Sequence, residues 1–272
     1  MNLHPPFVEI VSSQNPKIKE VARLRVERQR KKQNRILIDG VREISRAIAA
    51  GFEIEEIFFC AGGPAGEASP DIREWGQDSS ATRYRLSPAA FKKIAYGDRD
   101  EGVVAVALPK NRSLSQLELG KTPLLIVLDG IEKPGNIGAV FRTASAAGVD
   151  AILVSNEICH PFNANAIRAS LGAVFELPFV STSQPEVAEF LDARGIRIVT
   201  TRVDARQLYF DYDFTGPVAI VMGSEAAGVA KAWQGHDSMI IPMDGAIDSL
   251  NVSATAAIVS FEANRQRNLS GH

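Results

Sequence analysis

Short apolar runs in the second half of the chain constrain its fold more than any other feature. Leu124–Leu128 has no alternation of polar and apolar residues, which is typical of a parallel strand covered on both faces. Similar runs occur at Ala151–Val154, Arg197–Thr200, Val218–Met222 and Ser238–Ile241. We therefore predict a parallel sheet whose central strands are buried.

Helical patterns lie between most of these runs. They cover Ile137–Ala147 and Pro185–Ala193, and an amphipathic helix is predicted at the end of the chain over Leu250–Arg267. Alternation of buried strands with helices is the pattern of an α/β domain, which we place at residues 123–272.

Residues 1–109 predict a smaller α/β domain. Its first element is a basic helix over Pro16–Gln33, with Pro16 in the first turn. The other predicted elements are strands at Arg35–Ile38, Glu56–Cys60, Arg83–Leu86 and Val103–Leu108 and helices at Val41–Ala50 and Pro88–Tyr96. Residues 110–122 are predicted to form a linker between the two domains.

The basic helix concentrates positive charge in a chain whose net charge is only −2. Nine basic residues lie between Lys17 and Arg35, against two acidic ones. Such a local field attracts phosphates, although a solvated helix face would give the same pattern. Candidate phosphate contacts are Lys17, Lys19, Arg23, Arg28, Arg30, Lys31 and Arg35.

Cysteine usage and hydropathy indicate where the protein resides. Cys60 and Cys159 form no CxxC pair, which favours a reducing compartment and free thiols. No apolar stretch approaches the roughly 18 residues that span a bilayer, and the N-terminus lacks the pattern of a signal peptide. We expect a cytoplasmic protein. The histidines have no metal-ligand spacing, so no metal site is expected.

The first loop motif, Asp129–Ala144, follows a predicted strand and opens a helix, a geometry that binds anions. Asn136 and Arg142 could reach the same end of the sheet if Asn136 caps the helix. Each also has an ordinary explanation, as a helix cap and as a surface ion-pair residue. A dinucleotide-binding loop with Glu157 on the ribose is an alternative, but G-x-G-x-x-G spacing is missing.

The second loop motif runs from Met222 to Gly228. Its glycine spacing is that of a Walker loop, but Val229-Ala230 replaces the Lys-Ser/Thr pair, so it is not an NTPase loop. Gly223 allows the backbone to approach a flat ligand closely. Glu225 places a carboxylate at the carboxyl end of a strand, where α/β proteins bind ligands.

The third loop motif contains Ile241-Pro242-Met243 and, further on, Ser249-Leu250-Asn251. Ser249 is predicted to be the N-cap of the last helix, with Asn251 in its first turn. Capping alone would explain either residue. Three such loops, each after a buried strand, together indicate a ligand site.

These loops carry a resemblance to a known family. N-x-x-x-x-x-R-T-A (136–144), M-G-S-E-x-x-G (222–228) and I-P-M followed by S-L-N-V-S (241–253) resemble, in order and spacing, the three motifs of the SpoU/TrmH RNA 2′-O-ribose methyltransferases of the SPOUT superfamily. More loosely, residues 13–19, 38–43 and 102–106 are similar to the L30e-like substrate-binding domain of that family.

The resemblance implies a fold, a reaction and partners. It implies a C-terminal parallel sheet with a trefoil knot, an L30e-like RNA-binding domain, and a homodimer for which Leu250, Ala254, Ala257, Ile258 and Phe261 could supply one face. S-adenosyl-L-methionine would be the cofactor and a ribose 2′-hydroxyl, most readily in ribosomal RNA, the methyl acceptor. The alternatives are a transfer RNA methyltransferase and a non-catalytic protein that binds structured RNA. A nicotinamide dehydrogenase is a more distant third alternative.

The resemblance also assigns residues. The catalytic set would be Arg142, Asn136, Glu225, Ser249 and Asn251. The cofactor-binding set would be Thr200, Thr201, Met222, Gly223, Ile241, Met243, Ser249, Leu250 and Asn251. The basic residues of the predicted first helix would contact RNA.

Overall fold

The computed structural model describes residues 7–64, 72, 75, 79–96, 101–224 and 228–270. The chain forms two compact units. The first comprises Met1–Lys110 with Phe162–Glu176, and the second comprises Asn111–Pro161 with Leu177–His272. In the described segments no helix is both long and apolar enough to cross a membrane.

The first unit contains a mixed five-stranded sheet. Its strands are β1 (Val8–Ile10), β2 (Ile36–Asp39), β3 (Ile54–Cys60), β4 (Thr82–Leu86) and β5 (Val103–Ala107), in the spatial order β1-β4-β3-β5-β2. The helices before residue 110 are α1 (Pro16–Ala22), α2 (Glu27–Gln33), α3 (Val41–Ala49) and α4 (Pro88–Ile94), and the segment Phe162–Glu176 adds two short helices, Ala164–Ala169 and Ala173–Glu176. The predicted strands are confirmed to within two residues at each end, and β1 is an additional strand of only three residues.

The predicted continuous helix over Pro16–Gln33 is wrong. A 3₁₀ turn, Arg23–Arg25, follows α1, and Val26 is extended (φ −94°, ψ 126°) before α2 begins. Arg30 stabilises this break, because its Nη1 donates hydrogen bonds to the carbonyl oxygens of Leu24 (3.2 Å) and Arg25 (3.0 Å). Those carbonyls have no helical partners and need others.

The segment Phe162–Glu176 packs within the first unit, although the sequence placed it in the C-terminal domain. Phe162 and Phe175 both contact Phe52, with ring centroids 5.7 Å and 5.0 Å apart in edge-to-face geometry. The sequence shows that these side chains are apolar and will be buried, but it does not show which of the two units they pack in. The domain boundaries near 109 and 122 therefore describe only part of the division.

Asp39, the last residue of β2, has a buried carboxylate that accepts a hydrogen bond from the backbone N–H of Tyr96. Burial raises the pKa of Asp39 to about 6, against the opposing effects of this hydrogen bond and of Arg168. Glu101 and Glu43 add to the rise. Because the ordinary pKa is 3.8, the folded protein binds more protons than the unfolded chain between about pH 4 and pH 6. The free energy of unfolding therefore falls as pH rises through that window.

Replacing Asp39 with asparagine is expected to remove this pH dependence, because asparagine keeps an acceptor for Tyr96 but has no charge to bury. Between about pH 4.5 and pH 7 the variant should gain about 2 kcal/mol of stability relative to wild type. Urea denaturation of both proteins at the two pH values measures the difference. Parallel pH dependences in the two proteins would contradict the assignment.

The second unit contains a seven-stranded sheet in which every pairing between strands is parallel. Its strands are β6 (Leu124–Asp129), β7 (Ala151–Ser155), β8 (Phe179–Ser181), β9 (Arg197–Thr201), β10 (Gln207–Leu208), β11 (Val218–Met222) and β12 (Asp237–Ile240). The spatial order is β10-β12-β9-β11-β6-β7-β8. Every residue of β6, β7 and β11 is buried, which confirms the predicted parallel sheet with buried central strands.

The main helices of this unit are α5 (Pro134–Ala147), α6 (Gln184–Ala193) and α7 (Val252–Ser270). α5 and α7 pack against each other. α5 begins at a proline, so Asn136 is its third residue and does not cap it, which removes capping as the ordinary explanation of Asn136. Ser249 is not the cap of the last helix either. Asn251 caps it, because its Oδ1 accepts from the backbone N–H of Ser253 at 2.8 Å.

Candidate functional site

A cavity of about 860 Å³ lies where β9, β11 and β12 end. Parallel α/β sheets bind ligands at this edge, beyond the carboxyl ends of their strands. Four segments of the second unit form most of the wall: residues 201–204, residues 223–224 with 228–229, residues 240–241 with 243, and residues 248–252. Lys133, Gln234 and Thr255 complete it. Two of the three loop motifs thus meet at one cavity, and Lys133 comes from the first.

The turn after β11 is closed so tightly that it requires glycine at position 223. A Cβ atom on Gly223 would collide with the backbone of Gly228 and with the nitrogen of Val229. Ser224 and Gly228 form a short antiparallel bridge, in which the Gly228 N–H donates to the Ser224 carbonyl oxygen at 2.9 Å. Gly228 has φ +66°, a conformation that glycine adopts without strain. At Gly223 and Gly228 the turn therefore presents only backbone atoms to the cavity.

The start of the last helix is joined to the first motif. Asn251 donates from Nδ2 to Oδ1 of Asn136 at 3.2 Å, while Oδ1 of Asn251 accepts from the backbone and hydroxyl of Ser253. Asn136 is available for this contact because it does not cap α5. The two asparagines that the motifs singled out are therefore in contact, although 115 positions separate them.

Arg142 lies on an exposed part of α5, six residues after Asn136, which is about 9 Å along the helix. It does not line the cavity. Within the described ranges no carboxylate pairs with it, so the ordinary explanation as a surface ion-pair residue finds no support there. The structure gives this side chain solvent access, and its guanidinium group forms no ion pair with any described carboxylate.

Most of the predicted cofactor-binding residues are brought together. The cavity wall contains Thr201, Gly223, Ile241, Met243, Ser249, Leu250 and Asn251. Thr200 and Met222 are completely buried and lie outside the lining, with Thr200 Oγ1 donating to the Asp237 carbonyl oxygen at 3.1 Å. Glu225 lies outside the described residues.

Sequence reasoning missed the loop after β9. Arg202 and Asp204 line the cavity and pair in a forked geometry, Nε to Oδ1 at 2.8 Å and Nη2 to Oδ2 at 2.5 Å. Their position just beyond a predicted parallel strand was the available signal. With Lys133 and Asp248, they give the wall both signs of charge.

The basic residues between Lys17 and Arg35 include three kinds: residues paired with carboxylates, the buried Arg30, and exposed residues without such a pair. Lys17 and Arg35 are held by carboxylates, at 2.8 Å from Glu56 and 2.6 Å from Glu55, and Lys31 pairs with Glu27. Arg30 is 6% exposed and serves the helix break, so its prediction as a surface contact is wrong. Exposed residues without an ion pair to any described carboxylate are Lys19, Arg23, Arg28 and Lys32.

Comparisons with known proteins agree with this geometry. Residues 123–261 match the family model described as the SpoU rRNA Methylase family, and residues 15–105 match the MRM3-like substrate binding domain. The chain is 33% identical over 226 residues to the 23S rRNA (guanosine-2'-O-)-methyltransferase RlmB of Ralstonia nicotianae, which covers 79% of this chain and 89% of that protein.

Solved structures are similar over nearly the whole chain. A crystal structure of an RNA 2'-O ribose methyltransferase matches with a TM-score of 0.83 and 37% identity, covering 96% of this chain and 100% of the other. The SpoU methyltransferase AviRb of Streptomyces viridochromogenes, in complex with the cofactor AdoMet, matches with a TM-score of 0.86 and 28% identity, covering 94% and 99%.

Proposed function

The chain belongs to the SpoU rRNA methylase family, as its motifs predicted, and on that basis we propose that it transfers a methyl group from S-adenosyl-L-methionine to a ribose 2′-hydroxyl of ribosomal RNA. The observation that carries this proposal is the single cavity into which the turns at 223–229 and 241–251 converge. The loop after β9 lines the same cavity, and loops that converge beyond the carboxyl ends of parallel strands are where α/β proteins bind ligands. The same family membership leads us to propose that these turns belong to a trefoil knot.

The cavity residues fit S-adenosyl-L-methionine. The volume of the cavity suits a nucleoside-sized ligand. The backbone at Gly223 and Gly228 can lie against a flat ring, with Leu250 and Ile241 as apolar neighbours. The mixed charges of the wall match a ligand that carries both an amino-acid group and a sulfonium. When bound, this cofactor supplies an electrophilic methyl group.

We assign the remaining polar groups to the methyl acceptor. Because arginine is in general a poor base, we propose that Arg142 binds and orients the substrate phosphate or ribose rather than removing the hydroxyl proton. Asn136 and Asn251, which contact each other, would orient the sugar, with Ser249 beside them. Holding the hydroxyl in line with the methyl group can lower the barrier of a well-oriented reaction by about 7–11 kcal/mol.

A homodimer explains why Arg142 does not line the cavity of its own chain. Val252, Ala256, Val259 and Ala263 form the buried face of α7. The opposite face exposes Leu250 (38%) just before the helix and Phe261 (50%) within it, near Ala254 and Ile258. We propose that this apolar face packs against a second copy, and that Arg142 of one protomer serves the cavity of the other.

Lys19, Arg23, Arg28 and Lys32 are proposed to contact the RNA backbone. Replacing all four with glutamine is expected to weaken RNA binding about tenfold near physiological salt. The slope of log affinity against log salt should fall by about 0.7 for each phosphate that the variant no longer neutralises. A matched variant with Lys17→Gln and Arg35→Gln changes cations that are already neutralised. Equal reductions in the two variants, measured by filter binding across salt concentrations, would refute this surface.

The function itself is tested by incubating the protein with tritiated S-adenosyl-L-methionine and either ribosomal or transfer RNA, followed by mass spectrometry of the digested RNA. We expect one ribose-methylated nucleotide in ribosomal RNA. Label in transfer RNA alone would favour the alternative substrate, and RNA binding without label would favour a non-catalytic role. A ribosomal RNA substrate is also the reason for placing the protein in the cytoplasm.

A further inference from the structure

Asp129, the last residue of β6, is a buried carboxylate that the proposed mechanism does not use. It is 3% exposed, and its Oδ1 accepts hydrogen bonds from Ser155 Oγ at 2.8 Å and Asn156 Nδ2 at 2.6 Å. No cation among the residues that the structure describes pairs with it. A buried carboxylate without a cationic partner is costly even when it is hydrogen-bonded, so a role at this position requires explanation.

The other oxygen of Asp129 points to the cavity turn. Its Oδ2 accepts from the backbone N–H of Ala230 at 3.4 Å. Ala230 directly follows Gly228 and Val229, which line the cavity, and Gly228 is the residue against which Gly223 is closed. The carboxylate therefore connects the end of β6 to the returning arm of the turn that begins at β11.

We infer that Asp129 is a positioning residue for cofactor binding, which acts through Ala230 to hold Gly228 and Val229 at the cavity wall. This inference rests on the proposed function. Ser155 and Asn156 hold the carboxylate at the end of β7. Through its hydrogen bond with Ala230, the carboxylate then holds the segment that follows β11 in position. Val229 also packs in the core of the unit, so the structure offers a competing anchor that the experiment must separate.

The Asp129→Asn variant distinguishes the hydrogen bond to Ala230 from the core packing of Val229 as the contact that holds this segment at the cavity wall. The amide oxygen keeps the hydrogen bonds from Ser155 and Asn156, which are shorter than the Ala230 contact and so determine the orientation of the amide. Its NH₂ group then faces the Ala230 N–H, and two donors cannot bond. Ser155→Ala is the matched control, because it removes one hydrogen bond to the same carboxylate and leaves the Ala230 contact in place.

Calorimetry should show the dissociation constant of S-adenosyl-L-methionine rising about tenfold in Asp129→Asn, which is about 1.4 kcal/mol, and less than about twofold in Ser155→Ala. Hydrogen exchange of a peptide that contains Val229 and Ala230 should be faster in Asp129→Asn alone. Unchanged exchange and affinity in Asp129→Asn, or equal changes in both variants, would overturn the inference. Absence of cofactor binding by wild type would refute the proposed function, and the exchange measurement would still decide the role of Asp129.

Discussion

Replacing Arg142 with alanine is expected to lower the rate of methyl transfer about a thousandfold and to leave the dissociation constant of S-adenosyl-L-methionine within about twofold of wild type. The reason is the placement of the side chain. Arg142 is exposed, carries no ion pair to a described carboxylate and does not line the cavity. Removing it therefore takes nothing from the cofactor pocket of its own chain.

Single-turnover methylation of ribosomal RNA and calorimetry with the cofactor measure the two quantities separately. Arg142→Lys keeps the charge but not the planar fork of donors, so it should recover only part of the rate. Ser145→Ala is the control for the exposed surface of α5 and should be silent in both measurements. Loss of cofactor binding in Arg142→Ala would contradict the assigned role, because it would make Arg142 part of the pocket.

The buried parallel strands could be predicted because burial on both faces leaves a direct trace in the sequence. Leu124–Leu128 has that trace and lies in β6, an inner strand of the sheet that pairs with the central strand β11. The edge strands do not, since β8 has three residues and β10 has two. Runs of that length carry no periodicity, and pairing with a neighbour is what makes them strands.

The helix starts were harder to predict, because capping depends on which backbone N–H groups remain free. Ser249 and Asn251 both carry capping side chains, and the sequence alone favoured the wrong one. The chain turns into α7 only at Val252, which gives the cap to Asn251 and leaves Ser249 on the cavity wall. Ser249 therefore has no capping role, and its place on the cavity wall agrees with the cofactor-binding set that the resemblance assigned.

Charge runs show a similar limit. Nine basic residues between Lys17 and Arg35 predicted one positive surface. Tertiary contacts divide them, because Glu55 and Glu56 lie on β3 and reach Arg35 and Lys17 from a distant part of the chain. No local pattern contains that information. The loop with Arg202 and Asp204 was missed for the same reason, since its relation to the cavity depends on the position of β9 in the sheet.

Gly223→Ala is expected to abolish useful binding of S-adenosyl-L-methionine, with a rise in the dissociation constant of about a hundredfold, while the protein stays folded. The added methyl group would collide with the backbone of Gly228 and Val229 rather than with the end of a flexible side chain. The turn must open, and the two residues that line the cavity move with it. The cost to global stability should be about 1–3 kcal/mol, because the overlap is confined to one turn.

Two other glycines separate collision from strain. Gly235→Ala places its methyl group in open space and requires no unusual backbone angle, so binding should not change. Gly228→Ala also meets no atom of the described residues, but φ +66° costs an alanine about 1 kcal/mol, which should give an intermediate loss of affinity. Calorimetry gives the cofactor affinities of the three variants, and thermal melts give their stabilities. If Gly223→Ala binds the cofactor as tightly as Gly235→Ala does, the turn after β11 does not form the wall against which the cofactor lies. The assignment of the cavity then fails, because the closest backbone approach in the site would have no effect on the ligand.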